Sequence, residues 1–382
     1  MASVSPYETK SGRRWRVQYR DPAGKVRTKR GFPRKSDAKA WADKNSVDVR
    51  AQDWINPNAG KVTVWELGEV WKQNLGHLKP KTRHDMLAMY RNNVEPVWGN
   101  RGVASIKPSE VQTWVSNIDR SASLVRQAHA VLAQILDVAV QDRAIRENPA
   151  RGVKLPRKQS AEKIYLTADQ LAQLADTCTR NGDIVWVLGT VGLRWGELAA
   201  LRVRDVNLLR GRLMVERNAV TVGTEVSIGT PKTHERREVA VPASVMKLVE
   251  SRLVGKGPDD LLWPRRDGSP MRPPSHGDWY YTALDRCMWR EVPVDPADPD
   301  GEKSKVRTDF PRVTPHGLRH VAAGLMVSAG ANVLAVSRQL GHSDPSLTLK
   351  IYAALFDEDL TALGAKLDER VENVVKMQSR GA

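Results

Sequence analysis

A short basic stretch, RGVKLPRKQSAEK over residues 151–163, limits the folds open to this chain more than any other segment. It lacks apolar periodicity and holds a proline, so it reads as an exposed linker and not as part of a core. The sequence on either side must then bury its own apolar surface. Upstream, residues 61–150 read as all-helical. Trp65, Leu67, Val70 and Trp71 form an apolar stripe, and Lys79-Pro80-Lys81-Thr82 starts a new helix. Val131, Leu132, Ile135, Leu136, Val138 and Ala139 recur at helical spacing, and Asn148-Pro149 closes the block. Downstream, residues 164–360 mix helical patterns with a short β section near 212–241. Residues 293–312, rich in Pro, Asp and charge, read as a mobile surface insertion. A length of 382 residues accommodates two or three such domains. The expected fold is multidomain and mainly α with small β elements.

Residues 1–60 predict a small sheet followed by a helix. Arg14 to Arg20 alternates basic and apolar residues, Asp21-Pro22-Ala23-Gly24 supplies a turn, and Lys25 to Phe32 answers as a second basic strand. Ser36 then caps a helix with Ala40 and Trp41 inward. One sheet face would carry Arg14, Arg16, Arg20, Lys25, Arg27, Lys29 and Arg30, the surface a β-sheet DNA reader needs. A solvated basic hairpin without a partner is the other reading. The chain has 60 Lys and Arg against 44 Asp and Glu, a formal charge of +16, and residues 1–60 hold about half of that excess. A polyanion is the matching partner, because phosphate neutralisation releases counterions. Lys79 and Lys81 in the helical block, with Lys154, Arg157 and Lys158 in the linker, could track a DNA backbone. No apolar run is long enough to span a membrane, and the start, MASVSPYETKSGRRW, is not a secretory signal. Cys178 and Cys287 match no disulfide or metal spacing and read as small core residues in a reducing cytosol. The expected location is the host cytoplasm, at the nucleoid.

Four segments carry the chemistry. Thr190-Val191-Gly192-Leu193-Arg194-Trp195-Gly196-Glu197-Leu198 frames an arginine between two glycines at a turn before an apolar helix. Thr230-Pro231-Lys232-Thr233, followed by Arg236 to Pro242, reads as a hairpin with a lysine near its tip. Thr314-Pro315-His316-Gly317-Leu318-Arg319-His320 leads into a small-residue helix. Leu340-Gly341-His342-Ser343-Asp344 follows, with Tyr352 ten residues beyond His342. His316 and His320 stand at i, i+4, but no third histidine or carboxylate completes a metal spacing. There is no GxxxxGK[ST] phosphate loop either, so neither metal nor nucleotide cofactor is expected.

In order and spacing these segments resemble the tyrosine recombinase, or phage integrase, family. Its pattern of Arg, Lys, His-x-x-Arg, His and Tyr falls on Arg194, Lys232, His316 with Arg319, His342 and Tyr352. The resemblance covers residues 164–360; the N-terminal parts match only in architecture. It implies a basic arm-type DNA-binding domain (1–60), a helical core-binding domain (61–150), the linker (151–163), a mixed α/β catalytic domain (164–360) and a C-terminal tail (361–382). The small N-terminal domain is similar to the arm-binding domain of temperate-phage and mobile-element integrases. The implied activity is site-specific DNA cleavage and rejoining through a 3′-phosphotyrosine, integrating and excising an element. The implied partners are double-stranded attachment sites, three further copies in a tetramer, a host DNA-bending factor and an excision protein.

The residue types suit that task. Each planar guanidinium of Arg194 and Arg319 can donate two hydrogen bonds to a phosphate whose charge grows in the transition state. A phenol of ordinary pKa near 10 needs neighbouring cations to act as a nucleophile, and Tyr352 is one of seven tyrosines selected by its place after LGHSD. The family implies that Lys232 protonates the leaving 5′ oxygen, a plain phosphate contact being the alternative. His316 would accept the tyrosine proton or orient the phosphate, His342 would bond a nonbridging oxygen, and Glu197 would orient a cationic member. His320 reads as a helix-packing residue. In the tail, Leu360, Leu363, Leu367, Val371 and Val374 make an amphipathic stripe that packs on its own domain or docks on a neighbour. A type IB topoisomerase and a non-catalytic sequence-specific DNA-binding protein are the competing functions.

Overall fold

The computed structural model describes residues 2–22, 24–50, 56, 58–158, 163–229, 236–294 and 302–356, with residues 364, 365, 367, 368 and 371 of the tail. The chain divides into two compact units, residues 1–160 and 161–382.

The first unit begins with an antiparallel sheet of β1 (Ser3–Thr9), β2 (Gly12–Arg20) and β3 (Val26–Phe32) in sequential order. Helix α1 (Lys35–Arg50) covers one face through Ala38, Trp41 and Ala42, packed on Val4, Trp15, Val17, Tyr19 and Phe32. Strand β1 is absent from the sequence expectation. Its segment SVSPYET is polar and contains Pro6, which only an edge strand tolerates, so its pairing rests on β2 and not on its own propensity. The register places Arg14 and Arg16 opposite Tyr7 and Ser5 on the open face, and Arg30 lies 6.0 Å over the Tyr7 ring. Arg27 pairs across from Tyr19, on the helix side, and bonds the Asp21 carboxylate at 3.0 Å. Lys29 pairs with Val17 on that same side. The expected single basic face is therefore corrected to a basic open face, with two cations turned the other way.

The helical block of this unit has α2 (Val64–Gln73), α3 (Pro80–Met89), α4 (Glu95–Trp98), α5 (Pro108–Asn117) and α6 (Ala122–Gln141). Thr63 and Glu66 form a reciprocal cap on α2, Pro80 opens α3, and Ser121 caps α6. Leu67 and Trp71 of α2 join Leu132, Ile135 and Leu136 of α6 in the core. Trp65 and Val70 do not, at 48% and 41% exposed; the inward stripe follows Val64, Leu67 and Trp71 at the helical period. The described part of the linker is held by its backbone. Gln112 bonds both the amide and carbonyl of Lys154 (2.8 and 3.1 Å), and Arg126 donates to the Pro156 carbonyl at 2.9 Å.

The second unit is built around α8 (Gly182–Val191), whose Ile184, Val185, Val187, Leu188 and Val191 are all buried. A helix apolar all round needs cover on every side. It is packed between α7 (Ala168–Thr177) and α12 (Leu318–Ser328), with α10 (Ala243–Glu250) beside it. After α9 (Trp195–Ala199) come a three-stranded sheet, ordered β4 (Val206–Asn207), β5 (Arg212–Val215), β8 (Arg237–Ala240), and a hairpin of β6 (Asn218–Val222) and β7 (Glu225–Gly229). Helix α11 (Trp279–Met288) leads into a further hairpin, β9 (Trp289–Pro293) with β10 (Lys303–Arg307). That hairpin takes up both ends of the expected surface insertion over 293–312, and Phe310 and Val313, which follow it, are buried. Its Pro- and Asp-rich centre, residues 295–301, lies outside the described residues. Cys287 is buried and Cys178 half-buried, both as free thiols.

Helices α13 (Val333–Leu340) and α14 (Pro345–Phe356) complete the unit. With α12 they enclose a small second core of Ala323, Val327, Val336, Leu340 and Tyr352, on which Tyr165 packs. Of the tail stripe, Leu367 and Val371 are described, and both are more than half exposed. Leu360, Leu363 and Val374 lie outside the described residues.

Candidate active site

Two left-handed glycines set the geometry. Gly192 (φ +77°) ends α8, and Gly341 (φ +68°) ends α13. A side chain would be strained at either position. Arg194 follows the first turn as the N-cap of α9, and His342 follows the second. Arg319, 4% exposed on α12, ties the two turns together: its guanidinium donates to the Gly192 carbonyl at 2.6 Å and to the Leu340 carbonyl at 2.5 Å. Arg194 donates to the Gly341 carbonyl at 3.4 Å. Two segments about 150 residues apart in sequence thus meet through two guanidinium forks. Burial, and then the charge of Arg194, lower the Arg319 pKa to about 10, so it stays cationic at neutral pH.

Glu197 neutralises this cluster from within. Its carboxylate, 1% exposed, accepts from the Arg194 side chain (2.8 Å) and backbone (2.9 Å), and from Arg237 at 3.0 and 2.7 Å. Burial alone would raise its pKa, but hydrogen bonds and charge from Arg237 and Arg194 overcome that and lower it. Arg237 was missing from the sequence expectation, although a signal existed. In strand β8 it shares a face with buried Val239, and an inward arginine needs a buried partner.

His342 Nδ1 lies 2.7 Å from the hydroxyl of fully buried Thr348. Burial first, then Arg319 and Arg194, push its pKa down to about 4. His316 is exposed, yet crowding around its ring, then Arg319 and Arg194, lower its pKa too. Tyr352, on α14, is 1% exposed, and burial pushes its phenol up to about 12 against the opposing pull of Arg319. Arg319 is thus the cation that favours the phenolate here, and burial outweighs it. The phenol oxygen lies 2.8 Å from His320 Nδ1, with the His316 ring 5.8 Å from that of His320. His320 is not the helix-packing residue its position suggested; one turn after His316, it points at the phenol. Lys163 donates to the Ile351 carbonyl at 2.5 Å and sits 6.0 Å over the Tyr352 ring. Arg194, Arg319, His316, His342 and Tyr352 thus share one site, while Lys232 lies outside the described residues.

The other expected DNA contacts differ in availability. Arg20 donates to the Gly24 carbonyl at 2.9 Å, Arg16 to the Ser5 hydroxyl at 3.0 Å, and Lys25 is exposed. Lys79 caps α3, and Lys81 pairs with Asp85 at 2.6 Å. Lys154, Arg157 and Lys158 are exposed. Among the described residues no group of His, Cys, Asp and Glu could hold a metal ion, and no helix is long and apolar enough to cross a membrane.

The profile of the phage integrase family matches residues 164–359, and that of the phage integrase central domain matches residues 66–155. The integrase of Mycobacterium phage D29 is 26% identical over 351 residues, spanning 87% of each chain. That of Mycobacterium phage L5 is 25% identical over 368 residues, spanning 91% of this chain and 92% of the relative. Among solved structures, a lambda integrase tetramer bound to a Holliday junction covers 89% of this chain and 96% of its own, at 16% identity and a TM-score of 0.55. The Tn1549 transposon integrase in complex with a circular intermediate DNA covers 75% and 94%, at 20% identity and 0.59. With over half its length matched and its paired arginines, histidines and tyrosine gathered in one site, the chain belongs to the phage integrase family of tyrosine recombinases.

Proposed function

We propose that the chain cuts and rejoins DNA at specific sites, with Tyr352 as the nucleophile that becomes joined to the 3′ phosphate. The observation that carries this reading is the pair of guanidiniums, Arg194 and Arg319, fixed against two adjoining turns near Tyr352 and His342. A phosphate set there would meet preorganised donors, and its developing charge would need no metal. In this assignment Lys232 protonates the leaving 5′ oxygen, His342 and His316 bond the phosphate oxygens, and Glu197 with Arg237 keeps Arg194 in place. The bond energy stays in the phosphotyrosine, so rejoining needs no nucleotide.

The surrounding parts receive matching roles. Residues 1–60 bind arm-type DNA through the open face of the sheet, residues 61–150 grip the core site, and the linker, residues 151–163, tracks the DNA backbone between that domain and the catalytic one. Four copies assemble on paired attachment sites, and the 361–382 tail docks on a neighbouring copy. A host DNA-bending factor and an excision protein act with this assembly at the nucleoid. A nicked suicide substrate carrying the attachment core tests the central step: the native chain forms a covalent adduct, and Tyr352→Phe binds the DNA but forms none. An adduct that persists in Tyr352→Phe would overturn the assignment.

A further inference from the structure

The proton on Tyr352 must leave when its oxygen attacks phosphorus, and the atom nearest that proton is Nδ1 of His320, 2.8 Å away. Resting on the proposed function, we infer that His320 is the base that takes the Tyr352 proton and holds it until rejoining. His316 is exposed, and its ring stands 5.8 Å from that of His320. His320 itself is half-buried on the first turn of α12.

The step balances without any co-reactant. The Tyr352 O–H bond breaks as Oη bonds to phosphorus, and the proton goes to His320 Nδ1. The bond from phosphorus to the 5′ oxygen breaks, and that oxygen takes a proton from a separate acid, assigned above to Lys232. During rejoining, His320 returns the proton to the phenol. To act so, His320 must be neutral, with Nδ1 free and Nε2 carrying hydrogen. The charged groups facing it favour the neutral ring: besides burial, His316, Lys163 and Arg319 all lower its pKa, to about 4. A phenol held at about 12 beside such a ring does not ionise at rest. The transfer therefore accompanies the formation of the new bond instead of preceding it.

The tests separate this from a packing role and from the function beneath it. His320→Asn keeps an acceptor beside the phenol but cannot take the proton, and His320→Ala removes both. Both variants should bind the core site as the native chain does, and form the adduct slower by about 10²–10⁴, the usual worth of one general base. A substrate with sulfur replacing the 5′ bridging oxygen needs no acid for its leaving group. It should restore a Lys232→Ala variant and leave the His320→Asn deficit intact. The native rate should level off above the acid range, whereas His320→Asn should keep climbing with pH as hydroxide replaces the base. Nitrogen NMR of the native protein should show Nδ1 of His320 without hydrogen, a readout that needs no variant to fold. A His320→Asn rate within about threefold of native, sulfur rescue of that variant, or a protonated Nδ1 would overturn the inference. An adduct in Tyr352→Phe would instead remove the underlying function, whatever His320 does.

Discussion

Glu197 is a buried carboxylate between two guanidiniums, and its worth lies in what it leaves behind when removed. Glu197→Gln would strand Arg194 and Arg237 with one carbonyl between them, and breaking a buried pair of this kind costs about 3–5 kcal/mol. Urea denaturation should read that loss. The sign with pH follows from the lowered pKa of Glu197. Its contribution is fully present above the ordinary glutamate range and is lost as pH falls through the lower folded value. The native protein should lose stability on that acid limb, and Glu197→Gln should lose less across it; equal slopes would count against the pairing. At this scale the sequence was informative for Arg194, Arg319, His342 and Tyr352, because each stands in a motif of fixed spacing. It misplaced His320, since a place in the first turn of α12 says only which way the side chain leaves that helix. What lies on that side depends on α14, and no local pattern in α12 encodes it.

Elements are positioned by their ends as much as by their faces. The turn at Gly341 brings a backbone carbonyl to Arg194, and a Cβ there would stand 2.6 Å from Arg237 Nε. Gly341→Ala combines left-handed strain with displacement of Arg237, for a cost of about 1–3 kcal/mol. Thermal melting should report it, together with a slower adduct rate because both arginines shift. An unchanged melting temperature would mean that the turn is not under that constraint. Helices α2 and α6 were readable because period and caps agree over several turns. Strand β1 and the β9–β10 hairpin were not. Most of their residues are polar or charged, and they become strands only by pairing with a neighbour.

Across the whole molecule, charge does the long-range work. The open face of the N-terminal sheet presents Arg14, Arg16 and Arg30 away from α1. Replacing all three by alanine should weaken binding to arm-type DNA and reduce the slope of log K against log salt by about 2 to 3, close to one unit for each phosphate no longer neutralised. Adduct formation on an isolated core site should be unaffected. A full-strength salt slope in the triple variant would move the arm-binding surface elsewhere. The burial of Tyr352 bears on selectivity. Part of the favourable energy of a well-fitted site must go to opening the packing that keeps a phosphate from the phenol, so it appears in turnover and not in occupancy. Near-match sequences would then be held without being cut, and the enzyme would discriminate among genomic sites by rate far more than by affinity.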